Sequence, residues 1–167
     1  MFNLETAQEG DVLGWKPEDI VGKLITMFSL GKYCHVGYYT TDNKTIEAHL
    51  KLDGVKETKI DPSKYHLIDV FRLKEVEKYS IKNLTSSFVA SIGLKYDAIS
   101  FFSKFVRGVL RLGAKDKPIF NSRKDRDCAE NIALCFKANG INLTPNVHPQ
   151  STTPSQICKS KSFRKVS

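Results

Sequence analysis

The chain has 167 residues, 41% of them hydrophobic, and a formal net charge of +8. This size predicts one domain over residues 1–167. We expect its core at about 10–158 and an unstructured basic tail at 159–167. No apolar run approaches the roughly 20 residues of a membrane-spanning helix, which argues against a transmembrane segment. The N-terminal sequence has neither a basic region nor an apolar stretch, so we expect no signal peptide, a cytoplasmic location and free cysteine thiols.

The first half of the sequence is typical of a small sheet. Strand-forming residues predict a strand at 11–15, and Pro17 then favours the start of a helix whose apolar spacing continues to Phe28. Gly31 is placed to end that helix. Further strands are predicted at 33–39, 45–50, 55–60 and 67–73, separated by turn-forming residues.

The second half of the sequence is mainly helical. One apolar stripe begins at Ile81 and ends at Gly93, and a phenylalanine-rich stripe at 98–112 is typical of a helix facing the core. A helix is also predicted at 128–138, and a short one begins at Pro154. The fold class is therefore expected to be α+β, with a small, mostly antiparallel sheet flanked by helices.

The stretch "CHVGYY" places His35 on a strand, with the small Gly37 beside it on the same face. If the following hairpin turns symmetrically about Thr41, Glu47 lies directly across from His35. Facing residues of antiparallel strands have Cβ atoms about 4.5–5.5 Å apart. A carboxylate there would orient the imidazole and leave its second nitrogen as a base, while Gly37 would leave room beside the ring.

The stretch "DRDCAENI" places Cys128 at the start of a predicted helix. Free N–H groups and the positive end of the helix dipole stabilise a thiolate there, and a nearby imidazolium adds to that effect. The same N–H groups can hold an oxyanion. Cys128, His35 and Glu47 are therefore candidates for a catalytic triad.

Structural interpretations of the same residues stay open. Cys128 lies on an apolar helix face, where a buried free cysteine is common, and a single histidine on a strand is more often structural than catalytic. A zinc site built from Cys34, His35, His49 and Cys128 is disfavoured, because Cys34 and His35 point to opposite sides of a strand and no C-x-x-C pair is present.

The motifs "GDVL", "CHVGYY", "TIEA", "LKYD", "DCAENI" and "TPSQI", taken in this order, resemble the YiiX-type branch of the NlpC-like cysteine hydrolases. The resemblance covers the chain from about Gly10 to Ile157 and implies a circularly permuted papain-like fold, in which the histidine strand precedes the cysteine helix. It implies Cys128 as nucleophile, His35 as general base and Glu47 as the residue that orients the base. It also implies that Tyr96 lines the substrate or oxyanion site.

The function that follows is hydrolysis of an amide bond in a peptide or a peptidoglycan-derived fragment, without a metal or an organic cofactor. One alternative is a lipid acyl hydrolase or acyltransferase, since the +8 charge and the phenylalanine-rich stripe suit an anionic membrane surface. Another is a non-catalytic binding module of the same fold. Nucleic acid is not expected as a partner, and association with a virion or phage is an alternative to a cytoplasmic location.

Overall fold

The computed structural model describes residues 6–17, 23, 26–27, 31–49, 52–60, 68–97 and 125–166. These residues form a six-stranded sheet in which all neighbouring strands run antiparallel. The strands are β1 (Val12–Trp15), β2 (His35–Tyr39), β3 (Lys44–His49), β4 (Gly54–Lys59), β5 (Ile68–Leu73) and β6 (Phe163–Lys165), in the spatial order β4-β3-β2-β1-β5-β6. Most consecutive strands are also neighbours, as is usual where short turns connect them.

Both faces of this sheet are covered with apolar side chains. Val36 and Tyr38 of β2 point to the face on which the helices pack, and the Tyr38 ring stacks on Phe88 with a centroid distance of 4.0 Å. Because side chains alternate along a strand, His35 points to the other face, towards Trp15 of β1. His35 is the first residue of its strand and lies at the end of the sheet rather than at its centre.

Three α-helices are described from end to end, each with a side-chain N-cap, and two short 3-10 helices lie at Val76–Lys78 and Pro149–Ser151. In α1 (Ile81–Val89) the cap is Ser80, in α2 (Cys128–Ala138) it is Asp127, and in α3 (Pro154–Cys158) Thr153 and Gln156 form a capping box. The α1 helix ends at Val89, earlier than predicted. Its predicted stripe continued to Ile92, which is instead 42% exposed and lies beyond the helix.

The C-terminal segment corrects a second prediction. Residues Phe163–Lys165 were expected to belong to an unstructured tail, but they form β6, paired with β5. Phe163 is buried, and its ring packs edge-on against Phe136 of α2. A three-residue strand is too short to show an alternating pattern in the sequence. The pairing of β6 depends instead on burial of Phe163 in the core.

The α+β class and the antiparallel sheet flanked by helices are confirmed. The predicted helix from Pro17 to Phe28 lies mostly outside the described residues, and the phenylalanine-rich helix predicted at 98–112 lies outside them entirely. No helix in the described part of the chain is long and apolar enough to cross a membrane.

Candidate active site

The β2–β3 hairpin brings His35 and Glu47 onto one face, but in a different register from the one predicted. The observed pairs are Tyr38 with Ile46 and Tyr39 with Thr45, so the ladder continued towards the end of the sheet sets Glu47 across from Gly37. A Cβ atom built on Gly37 would lie 3.4 Å from the Glu47 Cβ, in agreement with that pairing. The prediction that Glu47 lies directly across from His35 is therefore wrong.

The turn explains the difference in register. Asp42 and Asn43 both have positive φ, 54° and 59°, which gives a two-residue turn of the type that suits hairpins. The carbonyl oxygen of Lys44 accepts from Thr40 N–H, and the N–H of Lys44 donates to the carbonyl oxygen of Thr41. Thr40 and Thr41 thus both lie opposite Lys44, so the strand that leads into the turn carries one extra residue. The dipeptide Asp-Asn was a usable signal for this turn, because both residues tolerate the left-handed conformation.

The contact between His35 and Glu47 survives the shift in register, because a shift by two positions leaves both side chains on the same face of the sheet. Glu47 stays on the face of His35 as a diagonal neighbour, and its long side chain reaches the ring. The His35 Nε2 atom lies 2.5 Å from Glu47 Oε2, and the Thr58 hydroxyl donates to Glu47 Oε1 at 2.5 Å. Both carboxylate oxygens are thus engaged, and only Nδ1 of His35 is left to face another partner.

The electrostatics of this pair favour a charged ring. Burial opposes protonation of His35, but the negative charge of a Cys128 thiolate, a hydrogen bond with that thiolate and the Glu47 carboxylate together raise the pKa of His35 to about 10. Burial opposes ionisation of Glu47 as well, but the hydrogen bond and the charge of His35, followed by the Thr58 hydroxyl, lower its pKa. Each group of the pair stabilises the charged form of the other.

Trp15 is a member of this site that sequence reasoning missed. Its ring lies 5.1 Å from the His35 ring, centroid to centroid, and is itself only 7% exposed. A Cβ atom on Gly37 would lie 3.1 Å from the Trp15 ring, so the small residue leaves space for the indole. Gly37 was expected to leave room for something to approach the histidine, and the tryptophan occupies that room. No sequence signal shows this, since it depends on the β1–β2 register.

Cys128 is the first residue of α2, directly after the N-cap Asp127, whose side chain accepts from Glu130 N–H at 3.0 Å. The thiol is 8% exposed and sits where the helix dipole favours an anion. Its interaction with His35 links the start of the helix to the start of β2. Sequence reasoning thus identified three side chains that the fold brings to one end of the sheet.

Tyr96 is held beside the same helix start by backbone pairing. Its segment runs parallel to Arg126, with Arg126 N–H donating to Lys95 O at 2.8 Å and Asp97 N–H donating to Arg126 O at 3.2 Å. Burial, and then the negative charges of Cys128, Asp127 and Asp97, raise the pKa of the Tyr96 phenol. The phenol therefore stays protonated at neutral pH and can donate a hydrogen bond near the thiol.

Gly54 at the start of β4 allows the Tyr96 segment to approach the sheet. Its φ is +141°, and a Cβ there would lie 2.3 Å from the carbonyl oxygen of Leu94, which accepts from Val55 N–H at 2.8 Å. We expect Gly54→Ala to destabilise the fold, by about 1–3 kcal/mol from backbone strain alone, and to displace Tyr96. Urea unfolding monitored by circular dichroism measures the loss.

Gly93→Ala is the matched control for that variant. Gly93 also has a positive φ, +91°, but a Cβ there would meet nothing within 4 Å. The Gly93→Ala substitution therefore adds backbone strain without a steric clash. Equal destabilisation by the two alanines would contradict the assignment of Gly54 as a close-approach position.

His49 is the second histidine of the site. It lies across from His35 when the β2–β3 ladder is continued, and the two rings meet edge to face with centroids 5.3 Å apart. The positive charge of His49 also contributes to the lowered pKa of Glu47, after burial and the larger effects of His35 and Thr58. His148, by contrast, is in an exposed loop, where its ring accepts from Gln150 N–H.

Three of the cysteines among the described residues are equally buried, and in two of them burial raises the pKa of the thiol. Cys128, Cys135 and Cys158 are 8%, 8% and 7% exposed. Burial raises the pKa of Cys135 to about 12 and that of Cys158 well above its ordinary value. Cys34 is half-buried and donates from Sγ to the Trp15 carbonyl at 3.4 Å.

Limiting iodoacetamide should therefore label Cys128 ahead of the other three cysteines. The reason is that the helix start and His35 stabilise the reactive thiolate of Cys128. Peptide mapping by mass spectrometry measures the order of labelling. Equal labelling of all four thiols would contradict this.

No protein-family model and no curated protein matches this chain. Among solved structures, it is similar to the crystal structure of the metalloprotein YiiX from Escherichia coli O157:H7, assigned to DUF1105, with a TM-score of 0.67. The two share 16% sequence identity, and the alignment covers 96% of each chain. The chain has a YiiX-like fold. At this identity the likeness establishes the fold and leaves the chemistry of the site to be inferred from its own residues.

Proposed function

We propose that this chain is a cysteine hydrolase that cleaves an amide bond in a peptide or a peptidoglycan-derived fragment. One observation carries the proposal: the half-buried carboxylate of Glu47 lies 2.5 Å from Nε2 of His35, and the Cys128 thiol at the start of α2 interacts with the same ring. Such an arrangement suits a thiolate–imidazolium pair, the activated form of a cysteine nucleophile.

The first step would be attack by the Cys128 thiolate on the carbonyl carbon of the scissile amide. His35 holds the thiol proton on Nδ1, because Nε2 is bonded to Glu47. As the C–S bond forms, the carbonyl π electrons move to oxygen and give a tetrahedral oxyanion. The C–N bond then breaks, and the Nδ1 proton of His35 passes to the leaving amine.

The oxyanion would be stabilised by donors already present around Cys128. Backbone N–H groups at the first turn of α2 have no partner within the helix, and the helix dipole favours negative charge there. The protonated Tyr96 phenol supplies a further donor on the side of the Tyr96–Arg126 pairing. Preorganised donors of this kind cost no reorganisation when the charge develops.

The second step would regenerate the enzyme. After the amine leaves, neutral His35 removes a proton from water, and the hydroxide attacks the thioester carbon. The C–S bond breaks, the acid product leaves, and the thiolate–imidazolium pair forms again. The net reaction is amide plus water to carboxylic acid plus amine, with Glu47 staying ionised throughout.

The matched YiiX structure is described as that of a metalloprotein, but the residues of the present site differ from a metal centre in their donor set. The described residues contain no group of three or more His, Cys, Asp or Glu side chains arranged to hold a metal ion. Both oxygens of Glu47 are engaged by His35 and Thr58. The described residues therefore do not fit a metal centre.

Hydrolysis should accordingly survive exhaustive chelation and be abolished by thiol alkylation. The measurement is amide cleavage after dialysis against a chelator, compared with a portion treated with iodoacetamide. Loss of activity on chelation, with recovery on adding zinc, would contradict the proposal.

A panel of activity-based acyl probes tests both the nucleophile and the substrate class. Peptidyl, muropeptide and fatty-acyl probes are incubated with the protein, and the acylated residue is located by mass spectrometry. We expect peptidyl or muropeptide adducts on Cys128. Adducts only from the fatty-acyl probe would assign the site to lipid acyl chemistry, and no adduct on Cys128 from any probe would favour a binding module.

A further inference from the structure

The motif "TPSQI" lies in α3 and its N-cap, and takes no part in the proposed chemistry. Its Ser155 is 3% exposed and contacts the residue that leads into β2. Ser155 Oγ accepts from Tyr33 N–H at 2.9 Å and donates to the Tyr33 carbonyl oxygen at 3.3 Å. One hydroxyl therefore satisfies both backbone groups of Tyr33, which a neighbouring strand would otherwise do.

The Tyr33 side chain is fixed as well. Its hydroxyl donates to Asp69 at 2.6 Å, and its ring packs edge-on against Phe71 with a centroid distance of 5.4 Å. Asp69 is also bound by Lys16 at 2.9 Å and by Lys165 at 3.1 Å. Tyr33 is thus a buried residue held through its backbone by α3 and through its side chain by the sheet.

Tyr33 lies two positions before His35, with little freedom between them. Cys34 N–H donates to the Trp15 carbonyl at 2.9 Å, so the entry of β2 is held at two successive residues, Tyr33 by α3 and Cys34 by β1. His35 makes a short bond to Glu47 on one side and meets Cys128 on the other, and both contacts depend on the ring position. A misplacement of about 1 Å can cost on the order of 100-fold in rate.

We propose that Ser155 is a positioning residue for His35. By holding both backbone groups of Tyr33, it fixes the entry of β2 and keeps the imidazole aligned between Glu47 and Cys128. The consequence for catalysis rests on the proposed function, whereas the consequence for the ring position does not.

Ser155→Ala tests this, with Ser160→Ala as the matched control. Ser160 is also a buried serine of the C-terminal segment, and its hydroxyl accepts from Ser162 N–H at 3.3 Å, a contact unconnected with β2. The first readout is the downfield imidazole N–H proton signal of the His35–Glu47 hydrogen bond, assigned by its loss in His35→Ala. The second is the pH midpoint of Cys128 alkylation.

We expect Ser155→Ala to lose or broaden the His35 signal and to raise the Cys128 midpoint by about one pH unit, a tenfold loss of thiolate at pH values well below the midpoint. Ser160→Ala should change neither. Tyr33→Phe, which removes the bond to Asp69 but keeps the Ser155 contacts, should leave both readouts close to those of the unmodified protein. If Ser155→Ala is partly unfolded, both are measured in sucrose, which favours the compact state.

An unchanged His35 signal in folded Ser155→Ala would overturn the inference, and so would an equal change in Ser160→Ala. Failure of the proposed function looks different. The unmodified protein would then show an ordinary Cys128 midpoint that His35→Ala does not alter, while the proton signal would still report whether Ser155 holds the ring.

Discussion

Replacing Cys128 by alanine should abolish covalent catalysis, and His35→Ala should be nearly as severe. The alanine at 128 leaves no atom to form the thioester, and loss of His35 removes the group that both stabilises the thiolate and protonates the leaving amine. We expect either variant to lower kcat/KM by roughly four orders of magnitude or more, since members of a catalytic unit act together. Cleavage of whichever peptidyl or muropeptide substrate the acyl probes identify provides the measurement.

Cys135→Ala is the matched control for the loss of a buried thiol. Cys135 belongs to the same helix and is as buried as Cys128, 8% in each case, but its thiol donates to Ser87 O at 3.6 Å, away from His35. Its replacement should reduce stability without removing activity. Comparable loss of activity in Cys135→Ala would show that packing of α2, rather than chemistry at Cys128, explains the effect.

Glu47→Gln should weaken the site without destroying it. The amide oxygen can still accept the His35 Nε2–H bond, and the amide NH₂ can donate to the Thr58 hydroxyl that now donates to the carboxylate. The negative charge is lost, however, so the pKa of His35 falls and the imidazolium becomes a poorer partner for the thiolate. The Cys128 midpoint should rise by about one unit, with a roughly tenfold fall in rate at pH values below it.

Glu57→Gln is the charge-matched control, because Glu57 lies on the adjacent strand, pairs with Lys44 at 3.2 Å and is 40% exposed. It should change neither the rate nor the midpoint. Combining Glu47→Gln with Cys128→Ala should be no worse than Cys128→Ala alone. If Glu47→Gln leaves both the rate and the Cys128 titration unchanged, Glu47 does not act through His35. His49, whose ring lies 5.3 Å from that of His35, then becomes the candidate for the residue that orients the base.

Local physical chemistry made much of the candidate site predictable. Strand alternation placed His35 and Glu47 on one face, and Asp127 marked the helix start that Cys128 occupies, since a side-chain cap is a property of a few consecutive residues. The position of Tyr96 beside Cys128 came from a resemblance and not from any local pattern. The catalytic roles of His35, Glu47, Cys128 and Tyr96 stay predictions.

The sequence by itself determined which side chains share a face and which residue begins a helix, because both depend on neighbours along the chain. Only the tertiary structure decided which of those side chains touch. The extra residue beside the Asp42–Asn43 turn set the register of Glu47, and the β1–β2 pairing set Trp15 against His35. The contact of Ser155 with Tyr33 joins residues 122 positions apart. Such contacts arise from packing between distant segments, for which a single sequence carries no local signal.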